Sequence, residues 1–218
     1  MVPGNDTVDT ALIVAWLREF DRLTTENAQY LTELDAALGD ADHGLNMYRG
    51  MKAVVAKLDE GVAGDLAAVC KQVATTLISS VGGAAGPLYG TLFLRMAPVL
   101  GANTAVDATT FAAAPRAGVD GVVARGRAEL GDKTMIDALV PAGDALDAAL
   151  SAGAGLPEAL RQAADAAAAG RDASLPLVAR KGRASYLGER SAGHLDPGAA
   201  SSAMLIAAAA TAAEGPAS

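Results

Sequence analysis

The stretch LTELDAALGDADHGLN, residues 31–46, joins an apolar helical pattern to a turn crowded with polar side chains. Its leucines recur at spacings of three and four residues, which predicts an amphipathic helix. Gly39 ends that helix and leaves Asp40 and Asp42 in a loop. The stretch therefore predicts a helix, a short acidic loop and a second helix.

The same helical periodicity extends along the rest of the chain. Thr24 and Thr25 are candidates to cap the helix that contains the leucines. Runs of β-branched residues with alternating polarity are nearly absent, so no strand is predicted. We expect one all-α domain over residues 1–218, built from roughly eight helices with short loops. The further predicted helices span 8–20, 45–60 with a stop at Gly61, 66–77, 88–100, a segment that Asp107 caps and Pro115 interrupts, 134–151, 157–172 and 198–213.

Composition limits the functions that this chain can have. Of its 218 residues, 51% are hydrophobic and 4% aromatic, which predicts an aliphatic core. The net charge is −8 and no Lys/Arg cluster is evident, so a nucleic-acid partner is not expected. An acidic protein that binds phosphates needs a local source of positive charge, and a bound cation is the simplest one.

No targeting signal is predicted from the sequence. The apolar run at 11–17 is short and lacks a basic flank, so it does not predict a signal peptide. The longest apolar stretch, 204–213, is too short to cross a bilayer. A single cysteine, Cys70, excludes an internal disulfide. We expect a soluble, cytoplasmic protein with no membrane partner.

Asp35, Asp40 and Asp42 form the first candidate site. If the helix ends at Gly39, the loop can fold the second and third carboxylates back toward Asp35. Three carboxylates at close range repel one another unless a cation lies among them. Hard oxygen ligands favour Mg²⁺, which proteins usually share with substrate phosphates. The acidic loop is thus a candidate nucleotide site, and the alternative is a solvated Asp/Gly turn.

Polar residues also gather in three other loops, at 81–86, 131–135 and 180–198. A helical bundle with short connections places alternate loops at the same end. These loops can therefore converge with the acidic loop on one rim.

Several residues of these loops are candidates for binding phosphate. Gly82–Gly86, followed by Pro87, offers free backbone N–H groups at a helix N-terminus. His43, next to Asp42, is placed to contact a phosphate, although a lone histidine is more often structural. Arg183 is a candidate for a ribose or phosphate contact, or else an ordinary surface arginine.

Two further motifs are less specific. Asp196–Gly198 is typical of a turn that enters a helix. Gly126–Thr134 imitates a P-loop, but Asp132 is inserted before the lysine and no strand precedes the motif. We therefore reject a P-loop and expect Asp132 and Lys133 to cap the next helix or shape the rim.

Four motifs, taken in order, resemble the DhaL family, the nucleotide-binding subunits of dihydroxyacetone kinases. The resemblance covers essentially the whole chain, and four motifs in order make it specific. The motifs are ELDAALGDADHGLNMYRGM (33–51), VGGAAGPLYGTLFL (81–94), ARGRAELGDKTMIDALVPA (124–142) and KGRASYLGERSAGHLDPGA (181–199).

This resemblance implies a barrel of eight antiparallel amphipathic helices with a nucleotide, ADP or ATP, held by the loops at one end. It implies that Asp35, Asp40 and Asp42 hold two Mg²⁺ ions that bridge the nucleotide phosphates. The implied nucleotide contacts are His43, Gly44, Leu45, Asn46, Ala84, Ala85, Gly126, Met135, Arg183, Asp196, Pro197 and Gly198. Of these, Gly126 and Met135 come from the resemblance alone.

The resemblance also implies a function as one subunit of a kinase. The phosphoryl group passes to dihydroxyacetone bound on a partner subunit, which is also expected to supply the catalytic base. A phosphocarrier of the phosphotransferase system, fed by phosphoenolpyruvate, then rephosphorylates the ADP. The alternatives are an ATP-dependent triose or tetrose kinase subunit with exchangeable nucleotide, and a nucleotide-sensing regulatory module. The exact ketose, the phosphoryl donor and the oligomeric state, including a homodimer, stay open at this point.

Overall fold

The computed structural model describes residues 7–62 and 64–215. These residues form nine α-helices, one 3₁₀ helix and two short strands. In chain order the elements are β1 (Thr7–Asp9), α1 (Thr10–Glu26), α2 (Ala28–Leu38), α3 (His43–Glu60), α4 (Leu66–Ser80), α5 (Ala85–Leu100), β2 (Ala105–Asp107), α6 (Ala108–Gly126), α7 (Ile136–Ser151), α8 (Leu156–Ala173), the 3₁₀ helix (Arg183–Ser191) and α9 (Pro197–Glu214).

Helix ends follow local sequence signals in most cases. Gly39 ends α2 and Gly61 ends α3, as predicted. Four helices begin after an aspartate whose carboxylate accepts a hydrogen bond from the backbone N–H three residues later, which is the usual N-cap arrangement. These pairs are Asp9 with Leu12, Asp65 with Ala68, Asp107 with Thr110 and Asp196 with Ala199, at 2.7–2.9 Å.

Three local predictions are wrong. Pro115 lies inside α6, which continues through it although proline has no N–H to donate to the preceding turn. Thr24 does not cap a helix: it is buried within α1, and its hydroxyl donates to the carbonyl of Phe20 one turn earlier. Two strands exist where none was predicted, since β1 and β2 pair antiparallel with Val8 opposite Val106.

The helices pack in a closed succession around an aliphatic core. From α3 to α9 each helix packs against the next, and α1 packs against both α3 and α9, while α2 packs on α3 and α9. Trp16 of α1 donates its indole N–H to the carbonyl of Leu205 in α9 at 2.8 Å, and its ring lies 5.7 Å from that of Phe93. Followed from α3 through α9 and then α1, the helix contacts therefore return to α3. No described helix is long and apolar enough to cross a bilayer.

Candidate functional site

One cavity of about 580 Å³ collects residues from all four polar loops. Its walls come from the α2–α3 loop, the α4–α5 loop, the 126–136 segment, the 181–184 segment and the start of α9. These segments are far apart in the chain, and only the packing of the helices brings them together.

The three predicted metal ligands meet at this cavity. One carboxylate oxygen from each of Asp35, Asp40 and Asp42 lies within 4.8 Å of the other two. Asp35 is buried, and its Oδ2 accepts the backbone N–H groups of Asp42 at 2.8 Å and His43 at 3.1 Å. The positive end of α3 thus stabilises this carboxylate.

The loop that carries Asp40 has an unusual backbone. Ala41 adopts a positive φ of 62°, a conformation that L-residues rarely take. A Cβ on Gly39 would collide with Oδ1 of Asp35, so a larger residue at this position would displace that carboxylate. Asp40 is exposed, and its Oδ2 lies 3.0 Å from a guanidinium nitrogen of Arg183. Two carboxylates of this loop and one of α2 therefore lie together beside one cation, and three hard oxygen donors of this kind suit Mg²⁺.

His43 is fixed from the opposite side by α9. Its Nε2 lies 2.9 Å from the hydroxyl of Ser201, and that hydroxyl also lies 2.7 Å from the hydroxyl of Tyr89. Burial lowers the pKa of His43, and the nearby carboxylates of Asp35 and Asp42 only partly oppose this effect. The imidazole is therefore held neutral in a defined position on the cavity wall. The sequence offered no signal for Ser201 and Tyr89 as partners of His43.

Lys133 shapes the rim, as predicted, by an interaction that the sequence did not reveal. Its ammonium donates to the carbonyls of Ser174, Leu175 and Leu177 at 2.9–3.1 Å. Burial lowers the pKa of this lysine, while Asp196 and Asp137 raise it. The side chain thus ties the segment after α8 to the wall of the cavity.

Two aspartates support the same wall. Asp137, which was not predicted, accepts the backbone N–H groups of Gly131 at 2.6 Å and Thr134 at 2.7 Å, so it orders the loop before α7. Asp196 caps α9. Burial raises the pKa of Asp196 to about 7, with Asp137 contributing, while the N–H of Ala199 favours the ionised form.

The α4–α5 loop approaches α3 closely. A Cβ on Gly82 would lie 2.9 Å from the amide oxygen of Asn46, a buried side chain that lines the cavity. Ala84 and Ala85 follow at the start of α5, where no side chain caps the helix. The backbone N–H groups of Ala85 and Gly86 in this first turn can therefore bind an anion, whereas Pro87 has none to offer.

Thirteen of the fifteen predicted site residues line the cavity, and two do not. Gly44 packs against α2, because a Cβ there would collide with the carbonyl of Ala28. Leu45 is 58% exposed outside the cavity. The lining residues are Asp35, Asp40, Asp42, His43, Asn46, Ala84, Ala85, Gly126, Met135, Arg183, Asp196, Pro197 and Gly198.

The chain belongs to the DAK2 domain family, whose model matches residues 37–211. It is 46% identical to the ADP-binding subunit DhaL of the PEP-dependent dihydroxyacetone kinase of Escherichia coli K12, over 87% of this chain and 90% of that protein. It is 41% identical to the ADP-binding subunit DhaL of the PTS-dependent dihydroxyacetone kinase of Lactococcus lactis, over 92% of this chain and 95% of that protein.

A solved structure supports the same relationship. The crystal structure of the dihydroxyacetone kinase from C. freundii in complex with AMP-PNP and Mg²⁺ superposes with a TM-score of 0.74 at 27% identity. The match covers 94% of this chain and 34% of that one, so this chain spans about a third of the larger kinase.

Proposed function

We infer that this protein is the ADP-binding subunit of a phosphoenolpyruvate-dependent dihydroxyacetone kinase. The observation that carries this function is the meeting of three carboxylates, one from α2 and two from the loop after it, in a cavity of the size that a nucleotide needs. The similarity to DhaL subunits along nearly their whole length supports the same assignment.

In this proposal, Asp35, Asp40 and Asp42 would hold two Mg²⁺ ions at the phosphates of the nucleotide. Bound there, the ions would neutralise phosphate charge and orient the phosphoryl group for transfer. The residues of the chain align the nucleotide around them. The first turn of α5 offers N–H groups to phosphate oxygens, and Arg183 adds a cation beside the acidic cluster.

The remaining cavity-lining residues would hold the nucleoside end and exclude water. Gly126, Met135, Pro197 and Gly198 all line the cavity, and a Cβ on Gly198 would lie 3.6 Å from Met135. His43, neutral and fixed by Ser201, supports the loop without needing to transfer a proton. The base that activates the sugar hydroxyl then belongs to the subunit that binds dihydroxyacetone.

The proposal extends to the fold and to the partners. The chain would form a single domain over residues 1–218, a barrel of antiparallel helices, and the closed succession of helix contacts supports this. Its partners would be a dihydroxyacetone-binding kinase subunit and a phosphocarrier of the phosphotransferase system, since a subunit that retains ADP needs both an acceptor and a source of phosphoryl groups.

Native mass spectrometry of the purified protein, combined with a turnover assay, tests this function. We expect one ADP and two Mg²⁺ ions to remain bound. We expect dihydroxyacetone phosphorylation to require the sugar-binding subunit and phosphoenolpyruvate with its carrier proteins. A chain that emerges empty and supports phosphorylation from free ATP would instead be an exchangeable-nucleotide ketose kinase subunit. Retained nucleotide without turnover with any sugar-binding subunit would favour a nucleotide-sensing module.

A further inference from the structure

Three buried hydroxyl groups form a chain of hydrogen bonds that ends on the ring of His43. Ser202, Tyr89 and Ser201 are each no more than 1% exposed. The hydroxyl of Tyr89 lies 3.0 Å from that of Ser202 and 2.7 Å from that of Ser201. The hydroxyl of Ser201 in turn lies 2.9 Å from Nε2 of His43. Buried polar groups are almost always hydrogen-bonded, so the protons of this chain can be assigned one by one.

The far end of the chain fixes the direction in which the hydroxyl groups donate. Each hydroxyl carries a single proton. Within residues 7–62 and 64–215, the hydroxyl of Ser202 has Tyr89 as its only hydrogen-bond partner, so Ser202 donates to Tyr89. Burial raises the pKa of Tyr89 to about 12, and the phenol therefore keeps its proton. That proton is then donated to Ser201.

Ser201 accepts from Tyr89 and passes its own proton toward His43. Two acceptors lie within reach of this hydroxyl, Nε2 of His43 at 2.9 Å and the carbonyl of Gly198 at 3.2 Å. The ring nitrogen is the nearer one, and hydroxyl groups that all donate in the same direction strengthen one another. A ring nitrogen that accepts a hydrogen bond carries no proton, so the proton of the neutral imidazole lies on Nδ1.

The other ring nitrogen, Nδ1, is the one that a ligand can use. His43 lines the cavity, and no residue in the described part of the chain forms a hydrogen bond with its Nδ1. With a proton, Nδ1 donates to an anionic oxygen. Without one, its lone pair repels the same oxygen. The tautomer of His43 thus decides whether this point of the cavity attracts or repels a phosphate group.

We propose that Tyr89 and Ser201 are positioning residues for nucleotide binding, which hold His43 in the Nδ1–H tautomer so that its ring donates a hydrogen bond to a phosphate oxygen. The inference deepens the proposed function and rests on it, because the acceptor belongs to the bound nucleotide. No proton is transferred in this arrangement. The hydroxyl groups act only by fixing which nitrogen carries the proton of the ring.

NMR spectroscopy of the histidine rings tests the assignment directly. The chain contains two histidines, His43 and His194, so histidine-selective ¹⁵N labelling gives a simple spectrum that His194→Gln assigns. Protonated and unprotonated nitrogens of a neutral imidazole have well-separated ¹⁵N shifts. We expect His43 to be protonated at Nδ1 and unprotonated at Nε2, with and without Mg²⁺ and ADP, whereas the exposed His194 should show a mixture of tautomers. An Nε2–H tautomer of His43, or a ring protonated on both nitrogens, would overturn the proposal.

A double-mutant cycle tests whether Ser201 acts through His43. Ser201→Ala should shift His43 toward the Nε2–H tautomer and weaken the Kd for ADP with Mg²⁺ about tenfold, the lower limit for a hydrogen bond to a charged group. His43→Phe should weaken the Kd at least as much. Adding Ser201→Ala to His43→Phe should cause no further loss, because the ring through which the hydroxyl acts is then absent.

The control variant is Thr24→Val, which removes another fully buried hydroxyl, in α1 and away from the cavity. It should change neither the tautomer of His43 nor the Kd. An unchanged Kd in Ser201→Ala, or losses that add in the double variant, would show that Ser201 does not act through the ring. The tautomer of the nucleotide-free chain reports on the hydroxyl groups alone, whereas a wild-type chain that binds no ADP contradicts the proposed function itself.

Discussion

Asp42→Asn removes one negative charge from the acidic cluster without removing a contact of its side chain. Asp42 is the N-cap residue just before α3, and its side chain makes no capping hydrogen bond there. Its backbone N–H, which donates to Asp35, is kept in the variant. In the protein without metal, the substitution should therefore relieve repulsion and raise the free energy of unfolding.

The size of this effect follows from the spacing of the carboxylates. At 4.8 Å, the upper limit of the separations among these carboxylate oxygens, unit charges repel by about 0.9 kcal/mol in water and by about 3.5 kcal/mol at an effective dielectric constant of 20. Asp42 is half-buried, and Arg183 already offsets part of the charge of Asp40. The lower value, about 1 kcal/mol, is therefore appropriate, and it corresponds to a Tm increase of about 2–4 °C for a chain of this length.

Magnesium and ADP should reverse this order of stability. At a ligand concentration of a hundred times Kd, binding adds about 2.7 kcal/mol to the wild type, or about 5–11 °C. Asp42→Asn should lose most of that gain because it loses a metal ligand. Thermal denaturation followed by circular dichroism, with EDTA and then with Mg²⁺ and ADP, measures both effects.

The matched control for this experiment is Asp120→Asn, which removes the same charge from an exposed site on α6 outside the cavity. It should behave like the wild type under both conditions. The reasoning is refuted if Asp42→Asn keeps the full shift with Mg²⁺ and ADP, or if the metal-free variant unfolds below the wild type.

Three further changes probe the walls of the cavity. Lys133→Met leaves three carbonyls without their charged donor, and it should lower the free energy of unfolding by about 2–4 kcal/mol in urea denaturation. Burial raises the pKa of Asp196, so the contribution of this carboxyl group to the free energy of unfolding is complete below pH ~4 and is lost as the pH rises through about 7. The difference in stability between wild type and Asp196→Asn should therefore change across that window. A constant difference contradicts the burial argument. Gly82→Ala should displace the amide of Asn46 and weaken ADP retention, measured by native mass spectrometry, whereas Gly64→Ala, where a Cβ meets open space, should not.

The parts of the fold that could be predicted depend on neighbours in the chain. Gly39 ends α2, and Asp107 caps α6, because these signals act within one turn of helix. The acidic loop could be found for the same reason, since Asp35, Asp40 and Asp42 lie within eight residues of one another.

The parts that could not be predicted depend on contacts between distant segments. Lys133 donates to carbonyls more than 40 positions away, and the hydroxyl that fixes His43 comes from Ser201, 158 positions away. The continuation of α6 through Pro115 also lies outside local rules, because tertiary packing stabilises a helix that local preferences alone would break.

Location of the divalent ions tests the central claim most directly. Crystals grown with Mn²⁺ and ADP allow the ions to be placed by their anomalous scattering. We predict two peaks, bound by oxygens of Asp35, Asp40 and Asp42 and by the diphosphate of ADP. Anomalous peaks elsewhere, or an ADP whose diphosphate lies away from these carboxylates, would contradict the account.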